Sequence, residues 1–252
     1  IEDWPAFTKW NLDFIKEIAG DKIVPLYDSR KTDYTKKVNE PDFKMTMAEY
    51  IDILEKGPTD LRIFLYNLMK DAPQMKDDMR WPDLGLRLIK SLPLVFFGGE
   101  DAKVFMHYDI DLPNIFHFHF NGKKQCVLVD PKETKYMYRL PYSWICHEDI
   151  DFDNPDFERF PALKKVNPYI TQLQHGEMLY MPEGWWHYMK YQTPGFSLSL
   201  RSLAGRPKNL FAGLKNVTFN RLYDNFMRQR KGQQWLDYKD AEAIRRTNAL
   251  LK

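Results

Sequence analysis

The feature that most constrains the fold is a series of short, strand-like runs between residues 95 and 203. The runs are rich in β-branched and aromatic side chains, and they cover residues 103–108, 114–120, 125–129, 169–173, 178–182, 186–191 and 196–203. Turn-forming pairs such as Asn121-Gly122 and Pro194-Gly195 separate them. Many short strands at this spacing predict a β-sandwich or β-barrel core.

Helical patterns flank the β-rich region on both sides. Apolar residues recur at helical spacing over 11–18 and 46–54, which predicts two amphipathic helices near the start of the chain. After Pro207 a long apolar stripe returns and is broken at Lys231-Gly232, and a last helix is predicted over 240–252. The expected fold class is therefore mainly β with flanking helices.

We divide the chain into three regions on this basis. An N-terminal region, 1–95, is mostly helical and packs on the core, although the apolar runs 61–65 and 92–97 within it have strand length. The core spans 96–205, and a C-terminal helical region spans 206–252. A long aromatic and acidic insertion, 132–168, interrupts the strands, and loops of this length are often functional lids, so we expect a lid there.

Charge and cysteine content exclude several classes of protein. The formal net charge is only +2, so no global field favours nucleic acid or an anionic membrane as a partner. Uncharged stretches such as 191–200 are far too short to span a bilayer. Two cysteines, Cys126 and Cys146, cannot form a disulfide framework, and reduced thiols predict a cytoplasmic location.

The sharpest chemical motif is His107-Tyr108-Asp109, on a predicted strand. Residues i and i+2 of a strand point to the same face, so the imidazole and the carboxylate converge. His187 follows on another predicted strand, after Trp185-Trp186. Two histidines and one carboxylate are the facial triad of non-haem Fe(II) oxygenases, and the lack of thiolate ligands disfavours structural zinc. On its own, however, a His-x-Asp motif also occurs as a surface pair or a satisfied core pair.

Three ordered stretches around these residues carry a family resemblance. They are 107–131 with its Gly122-Lys-Lys124-Gln-Cys-Val-Leu-Val-Asp-Pro131 segment, 151–161, and 176–187. They resemble the JmjC-type, cupin-fold Fe(II)- and 2-oxoglutarate-dependent oxygenases, in particular the asparaginyl hydroxylase factor inhibiting hypoxia-inducible factor. The resemblance implies a double-stranded β-helix (jelly-roll) core, with His107, Asp109 and His187 holding Fe(II) at its open mouth.

The resemblance also implies residues that bind the cosubstrate, 2-oxoglutarate. Lys124 is the implied partner of its distal carboxylate, which would be costly to bury without a cation. Asn114 is an implied contact of the cosubstrate. Phe64 stands where the family has a cosubstrate-binding tyrosine, so Tyr66, two residues further on, is the candidate for that role. The spacing from His107 to Lys124 is two residues longer than in the asparaginyl hydroxylase, so the register of the intervening strand is open.

Two further groups of polar residues lie on predicted strands. Ser199 and Arg201 share one face of the strand 196–203, and both are candidate cosubstrate-binding residues. Arg201 is either a second carboxylate anchor or a salt-bridge residue at the barrel rim. His117 and His119 share a face opposite Phe116, Phe118 and Phe120. Because the glutamate of the ordinary cupin metal motif is absent, we interpret the two histidines as pocket-lining or structural residues.

These observations predict an Fe(II)- and 2-oxoglutarate-dependent oxygenase that also uses O₂. The favoured reaction is hydroxylation of a protein side chain or a small molecule. Two alternatives stay open, namely a metal-dependent cupin enzyme that needs no 2-oxoglutarate and a catalytically inactive cupin-fold binding module. By resemblance, the C-terminal helices predict a homodimer, while a membrane or nucleic-acid partner is not expected.

Overall fold

Two antiparallel sheets form the core of the protein. The computed structural model describes residues 1–30, 33, 35–36 and 40–251. The first sheet has four strands in the order β5 (Lys103–His107), β10 (Trp186–Tyr191), β7 (Lys124–Val129) and β8 (Tyr169–Leu173). The second has five, in the order β3 (Arg62–Tyr66), β4 (Leu94–Gly98), β11 (Gly195–Ser202), β6 (Asn114–Asn121) and β9 (Met178–Met181). The prediction of a mainly β, jelly-roll-like core with helices at both ends is confirmed.

Alternation along β6 shows how the sequence separates the two faces of the five-stranded sheet. Phe116, Phe118 and Phe120 belong to an apolar cluster with the N-terminal helices. The intervening His117 and His119 pair across to β11, opposite Ser199 and Ser197 respectively. Because side chains alternate along a strand, one face packs against helices while the other carries polar groups toward the space between the sheets.

The N-terminal region covers the phenylalanine face. It contains α1 (Pro5–Lys9), α2 (Leu12–Ala19), β1 (Ile23–Leu26), β2 (Phe43–Thr46), α3 (Met47–Lys56) and α4 (Leu68–Asp71), followed by a 3₁₀ segment, Pro73–Asp78. The first turn of α3 is closed by a capping box, in which Thr46 and Glu49 satisfy each other's backbone N–H groups. Strands β3 and β4 belong to the five-stranded sheet, so the apolar runs 61–65 and 92–97 join the core rather than pack on it.

The insertion 132–168 lies against the outer face of the four-stranded sheet. Its Tyr138 and Phe160 are buried in a cluster with Trp186 and Tyr188 of β10. Short 3₁₀ segments, Pro131–Tyr136 and Pro161–Lys165, begin and end it. Only Trp144 and Ile145, among the described residues of the insertion, line the central cavity. Aromatic side chains thus anchor most of the insertion to the back of the sheet, and the lid stays a prediction for the part around Trp144 and Ile145.

Three helices complete the chain. They are α5 (Pro207–Lys215), α6 (Arg221–Lys231), joined to it by a π-helical turn at Asn216–Asn220, and α7 (Gln233–Asn248). The predicted break at Gly232 is present, with φ of 54°. The last helix begins at Gln233 rather than at residue 240. Its first turns pack against α6, since Trp235 and Lys239 are buried there. Over the described residues, no helix combines the length and apolarity needed to cross a membrane.

Candidate metal centre

Two adjacent strands place the two histidines of the motif side by side. His107 ends β5 and His187 lies in β10, and these two residues are direct partners in the antiparallel register. Their ring centroids are 4.1 Å apart. Asp109 follows β5 by two residues, so its carboxylate points toward the same space. Side chains from two distant parts of the chain therefore meet at one end of the barrel.

The distances fit a shared metal ion. One donor atom from each of His107, Asp109 and His187 lies within 4.8 Å of the others. The Oδ1 atom of Asp109 is 3.4 Å from Nε2 of His107 and 3.7 Å from Nε2 of His187. A single cation between them would contact all three, leaving the opposite side of its coordination sphere for other ligands.

Backbone contacts select the histidine tautomer that a metal requires. The Nδ1 atom of His107 lies 2.7 Å from the carbonyl oxygen of Phe105, and Nδ1 of His187 lies 3.2 Å from that of Trp185. A carbonyl oxygen can only accept, so each Nδ1 carries the proton and donates. Each Nε2 then presents its lone pair to the shared space, as in metal-bound histidines whose other nitrogen is held by the protein.

The charge states of the ligands also suit a metal. Burial and the neighbouring His107 lower the pKa of His187 to about 4, so its imidazole is neutral at pH 7. Burial by itself raises the pKa of Asp109, but the adjacent His107 and the positive charge of Arg201 outweigh it and hold that pKa below its usual range. Two imidazoles and one carboxylate are the donor set typical of non-haem Fe(II) sites.

A cavity of about 240 Å³ opens from the three ligands into the space between the sheets. Its wall is largely apolar, with contributions from Phe64, Phe96, Val104, Ile115, Met181 and Met189. Polar lining residues include His117, Ser199, Arg201 and Arg62. A mostly apolar pocket with a few placed polar groups is typical of a small-molecule site.

Lys124 begins β7 and is 1% exposed. Its Nζ atom lies 3.0 Å from Nε2 of His117 and donates to the hydroxyl of Tyr191 at 3.2 Å. His117 in turn lies 2.6 Å from the hydroxyl of Ser199 through its Nδ1 atom. Burial lowers the pKa of Lys124 to about 7, because the ammonium group has lost its water. Lys124 thus lies behind His117, which itself lines the cavity.

His119 lies one step further along the same face of β6. Its Nδ1 atom is 2.7 Å from the hydroxyl of Ser197. Its Nε2 atom is buried and has no hydrogen-bond partner among the described residues. The structure thus separates the two histidines, since His117 lines the cavity and His119 lies outside the residues that line it.

Arg201 contacts the metal-ligand carboxylate. Its Nη2 atom donates to Oδ2 of Asp109 at 2.8 Å and to Oδ1 of Asp111 at 2.9 Å. Of the two roles that the sequence left open, the structure shows the salt bridge. Arg201 therefore engages the carboxylates at the ligand end of the cavity, and its role as a second anchor for the distal carboxylate stays a prediction.

Two other predicted contacts lie outside the cavity wall. Asn114 accepts a hydrogen bond of 2.8 Å from the hydroxyl of Tyr180 through Oδ1. Tyr66 donates its hydroxyl proton to Asp71. The backbone explains the second case, because β3 loses its regular register after Ile63 and Leu65 has a φ of 53°. Phe64 and Leu65 line the cavity instead, which corrects the expectation for Tyr66.

The structure adds one residue that the sequence reading missed. Arg62 is 8% exposed, lines the cavity and donates from Nη1 to the carbonyl oxygen of Lys103. The available signal was a charged residue inside the apolar run 61–65. Arginine is almost never fully buried without a partner, so such a position indicates a functional or paired group.

Comparisons with known proteins agree with this geometry. The family model described as "Cupin-like domain" matches residues 1–229. Among curated proteins, the chain is 27% identical over 222 residues to Jumonji C domain-containing protein 5 of Drosophila melanogaster, covering 79% of this chain and 52% of that protein. It is 25% identical to tRNA wybutosine-synthesizing protein 5 of Gallus gallus, covering 78% and 66%.

Lysine-specific demethylase 8 of Xenopus tropicalis is similar at 28% identity, with 79% of this chain and 45% of that protein covered. The chain therefore spans about half to two thirds of the length of these curated relatives. The family match, however, extends over most of the chain and includes all three candidate ligands. A jelly-roll-like core, a His-Asp-His cluster at its mouth and this match together establish that the chain belongs to the cupin-like, JmjC-type family.

Proposed function

We propose that the protein is an Fe(II)- and 2-oxoglutarate-dependent oxygenase and that it hydroxylates its substrate. The observation that supports this most is the convergence of two imidazoles with free Nε2 atoms and one ionised carboxylate at the end of an apolar cavity. When bound there, Fe(II) and the keto acid would supply the activation of O₂ and the oxidation of a substrate C–H bond, with succinate and CO₂ as co-products.

The protein's own residues position these components. His107, Asp109 and His187 would hold the metal from one side, so that keto acid and O₂ bind on the side facing the cavity. Arg201 holds the second oxygen of Asp109, which favours coordination through Oδ1 alone. The apolar wall excludes water, and Lys124 supplies a cation behind His117.

The cavity favours a substrate that inserts one small group. At about 240 Å³, part of which the keto acid would occupy, it has room for an amino-acid side chain or a small molecule. The similar proteins are named as a tRNA-modifying protein and as a lysine demethylase, so the family resemblance alone does not select between substrate classes. We therefore propose a protein side chain or a small molecule as the substrate.

Anaerobic reconstitution tests this function. We expect a visible absorption band that needs both Fe(II) and 2-oxoglutarate. Lys124→Ala should raise the 2-oxoglutarate concentration that gives half of the maximal absorbance by about 10- to 100-fold. The reason is that a charge-assisted hydrogen bond is worth roughly 1.5–3 kcal/mol. The exposed neighbour provides the matched control, Lys123→Ala, which should leave the titration unchanged.

The same titration separates the alternatives. Metal binding without any response to 2-oxoglutarate would contradict the proposal and favour a cupin enzyme that needs no keto acid. A protein that binds neither metal nor 2-oxoglutarate would favour an inactive binding module. Arg201→Ala should weaken metal binding rather than the response to 2-oxoglutarate, since Arg201 contacts Asp109.

We also propose that a second copy of the chain covers the C-terminal helices. An apolar face there is open to solvent and comprises Leu210, Phe211, Leu214, Val217, Phe219, Leu222 and Phe226. Large exposed apolar patches mark interaction sites, and the family resemblance makes a second copy the expected occupant.

Light scattering on a sizing column tests the dimer. We expect twice the chain mass of 30.2 kDa for the wild type and a monomer for the double variant Leu214→Glu, Leu222→Glu, because buried carboxylates would oppose association. Lys164→Glu, outside the C-terminal region, is the charge-matched control and should stay dimeric. A monomeric wild type, or a dimer that survives both glutamates, would contradict this interface.

A further inference from the structure

Arg62 is a buried cation whose bonding is incomplete. It is 8% exposed and lines the cavity, yet its Nε atom has no hydrogen-bond partner among the described residues. Its Nη1 atom donates to a backbone carbonyl oxygen, that of Lys103, which carries no full charge. In the described part of the chain, no carboxylate lies within 4.0 Å of its guanidinium nitrogens. Three carboxylates, those of Asp28, Asp60 and Asp42, act on its charge, but none makes a direct ion pair with it. A buried guanidinium without a directly bonded anion is costly, so an external anion is the expected partner.

Lys124 lies at the same depth in the barrel as Arg62. Along β10, the partner of Lys124 is Tyr191, four residues beyond His187. Along β5, the carbonyl oxygen that Arg62 contacts belongs to Lys103, four residues before His107. The register of these strands shifts between His187 and Met189, so Lys103 pairs with Lys190, the residue before Tyr191. The two cations therefore contact neighbouring positions of the sheet, both on the same side of the metal ligands.

Tyr191 connects the two cations. Lys124 Nζ lies 4.2 Å from the centroid of the Tyr191 ring and donates to its hydroxyl. Burial raises the pKa of Tyr191, and the positive charge of Arg62 opposes that rise. Gly98, opposite Arg62 in the register of β3 and β4, makes room for this ring, because a Cβ atom there would lie 2.3 Å from it.

We propose that Arg62 is a second cation of the cosubstrate site and binds, together with Lys124, the distal carboxylate of a 2-oxo dicarboxylic acid. This inference rests on the proposed function and adds a residue to it. The keto acid end would face the three ligands, while the other carboxylate would reach the far end of the cavity. A guanidinium suits this position, since it can present parallel N–H groups to both oxygens of a carboxylate.

The test compares two keto acids that differ in the distal carboxylate. Calorimetric titration of the Zn(II)-loaded protein with 2-oxoglutarate and with pyruvate measures binding without turnover. Arg62→Met should weaken 2-oxoglutarate by about 10- to 100-fold and leave pyruvate nearly unchanged. Lys124→Met should act in the same direction. The exposed Lys208→Met is the matched control and should alter neither affinity.

The outcomes separate this inference from the proposed function. If the wild type does not prefer 2-oxoglutarate over pyruvate, both proposals fail. If the wild type shows that preference and folded Arg62→Met keeps it, only the role of Arg62 is overturned. An equal loss of affinity for 2-oxoglutarate and for pyruvate would likewise overturn it, because Arg62 would then have a structural role only. Should Arg62→Met fail to fold, Arg62→Lys retains the charge without the planar fork, and a selective loss of 2-oxoglutarate is again the supporting result.

Discussion

Replacing Asp109 with alanine is expected to weaken divalent-metal binding by more than about 100-fold. Loss of a hydrogen-bond partner of a metal ligand alone costs roughly 10- to 100-fold in affinity, and here a ligand itself is lost. Asp109 is also the one anion of the cluster, so its loss leaves two imidazoles beside Arg201, whose positive charge repels a cation. His187→Ala should have a comparable effect, because its Nε2 atom faces the same space.

Titration with Co(II), followed by visible absorption, measures both variants. Asp77→Ala removes an exposed carboxylate from the 3₁₀ segment Pro73–Asp78 and is the matched control for charge. We expect the control to bind Co(II) as the wild type does. If Asp109→Ala bound Co(II) within a few-fold of the wild type, the ion would be held elsewhere, and the proposed centre would be wrong.

The residues that the sequence located correctly are those set by local geometry. The spacing of His107 and Asp109 places both on one face of an extended chain, whatever the strand pairs with. The alternation in β6 likewise separated His117 and His119 from the phenylalanines. His187 was assigned from the family motif, and the strand register then placed it beside His107.

The residues that the sequence misplaced depend on backbone irregularity or on tertiary partners. Tyr66 faces away from the cavity because the register of β3 shifts after Ile63, and no local pattern announces such a shift. Arg201 lies on the predicted face of β11, yet its partner is set by Asp109 and Asp111, which come from a loop far away in sequence. Strand periodicity predicts which face of the sheet a side chain lies on, but its contact partners depend on the tertiary structure.

The insertion and the last helix are two further cases in which local sequence patterns do not predict tertiary contacts. Aromatic residues of 132–168 predict a lid over the site, but the pattern does not say which of them are used. Tyr138 and Phe160 are buried against the back of the sheet, while Trp144 and Ile145 line the cavity. The start of α7 was predicted too late because Asp237 and Lys239 interrupt the apolar pattern. The structure shows why Lys239 is compatible with a buried helix face, since its Nζ atom donates to Asp224 at 2.8 Å.

Asp224→Ala is expected to lower the free energy of unfolding by about 3 to 5 kcal/mol, the usual cost of removing one partner of a buried ion pair. Asp224 is 3% exposed and accepts hydrogen bonds from Nε of Arg228, Nε1 of Trp235 and Nζ of Lys239. Its carboxylate thereby joins α6 to α7. Burial raises the pKa of Asp224, but the charges of Lys239 and Arg228 outweigh it, so the group is ionised at pH 7.

Denaturant unfolding followed by circular dichroism measures the loss. Asp237→Ala, on the exposed side of α7, is the matched control and should leave the unfolding midpoint nearly unchanged. Adding Lys239→Met to Asp224→Ala should recover part of the lost stability, because one of the two stranded cations is then replaced by an apolar side chain of similar length. If Asp224→Ala lost less than about 1 kcal/mol, or if the second substitution lowered stability further, the carboxylate would not be what holds α6 and α7 together.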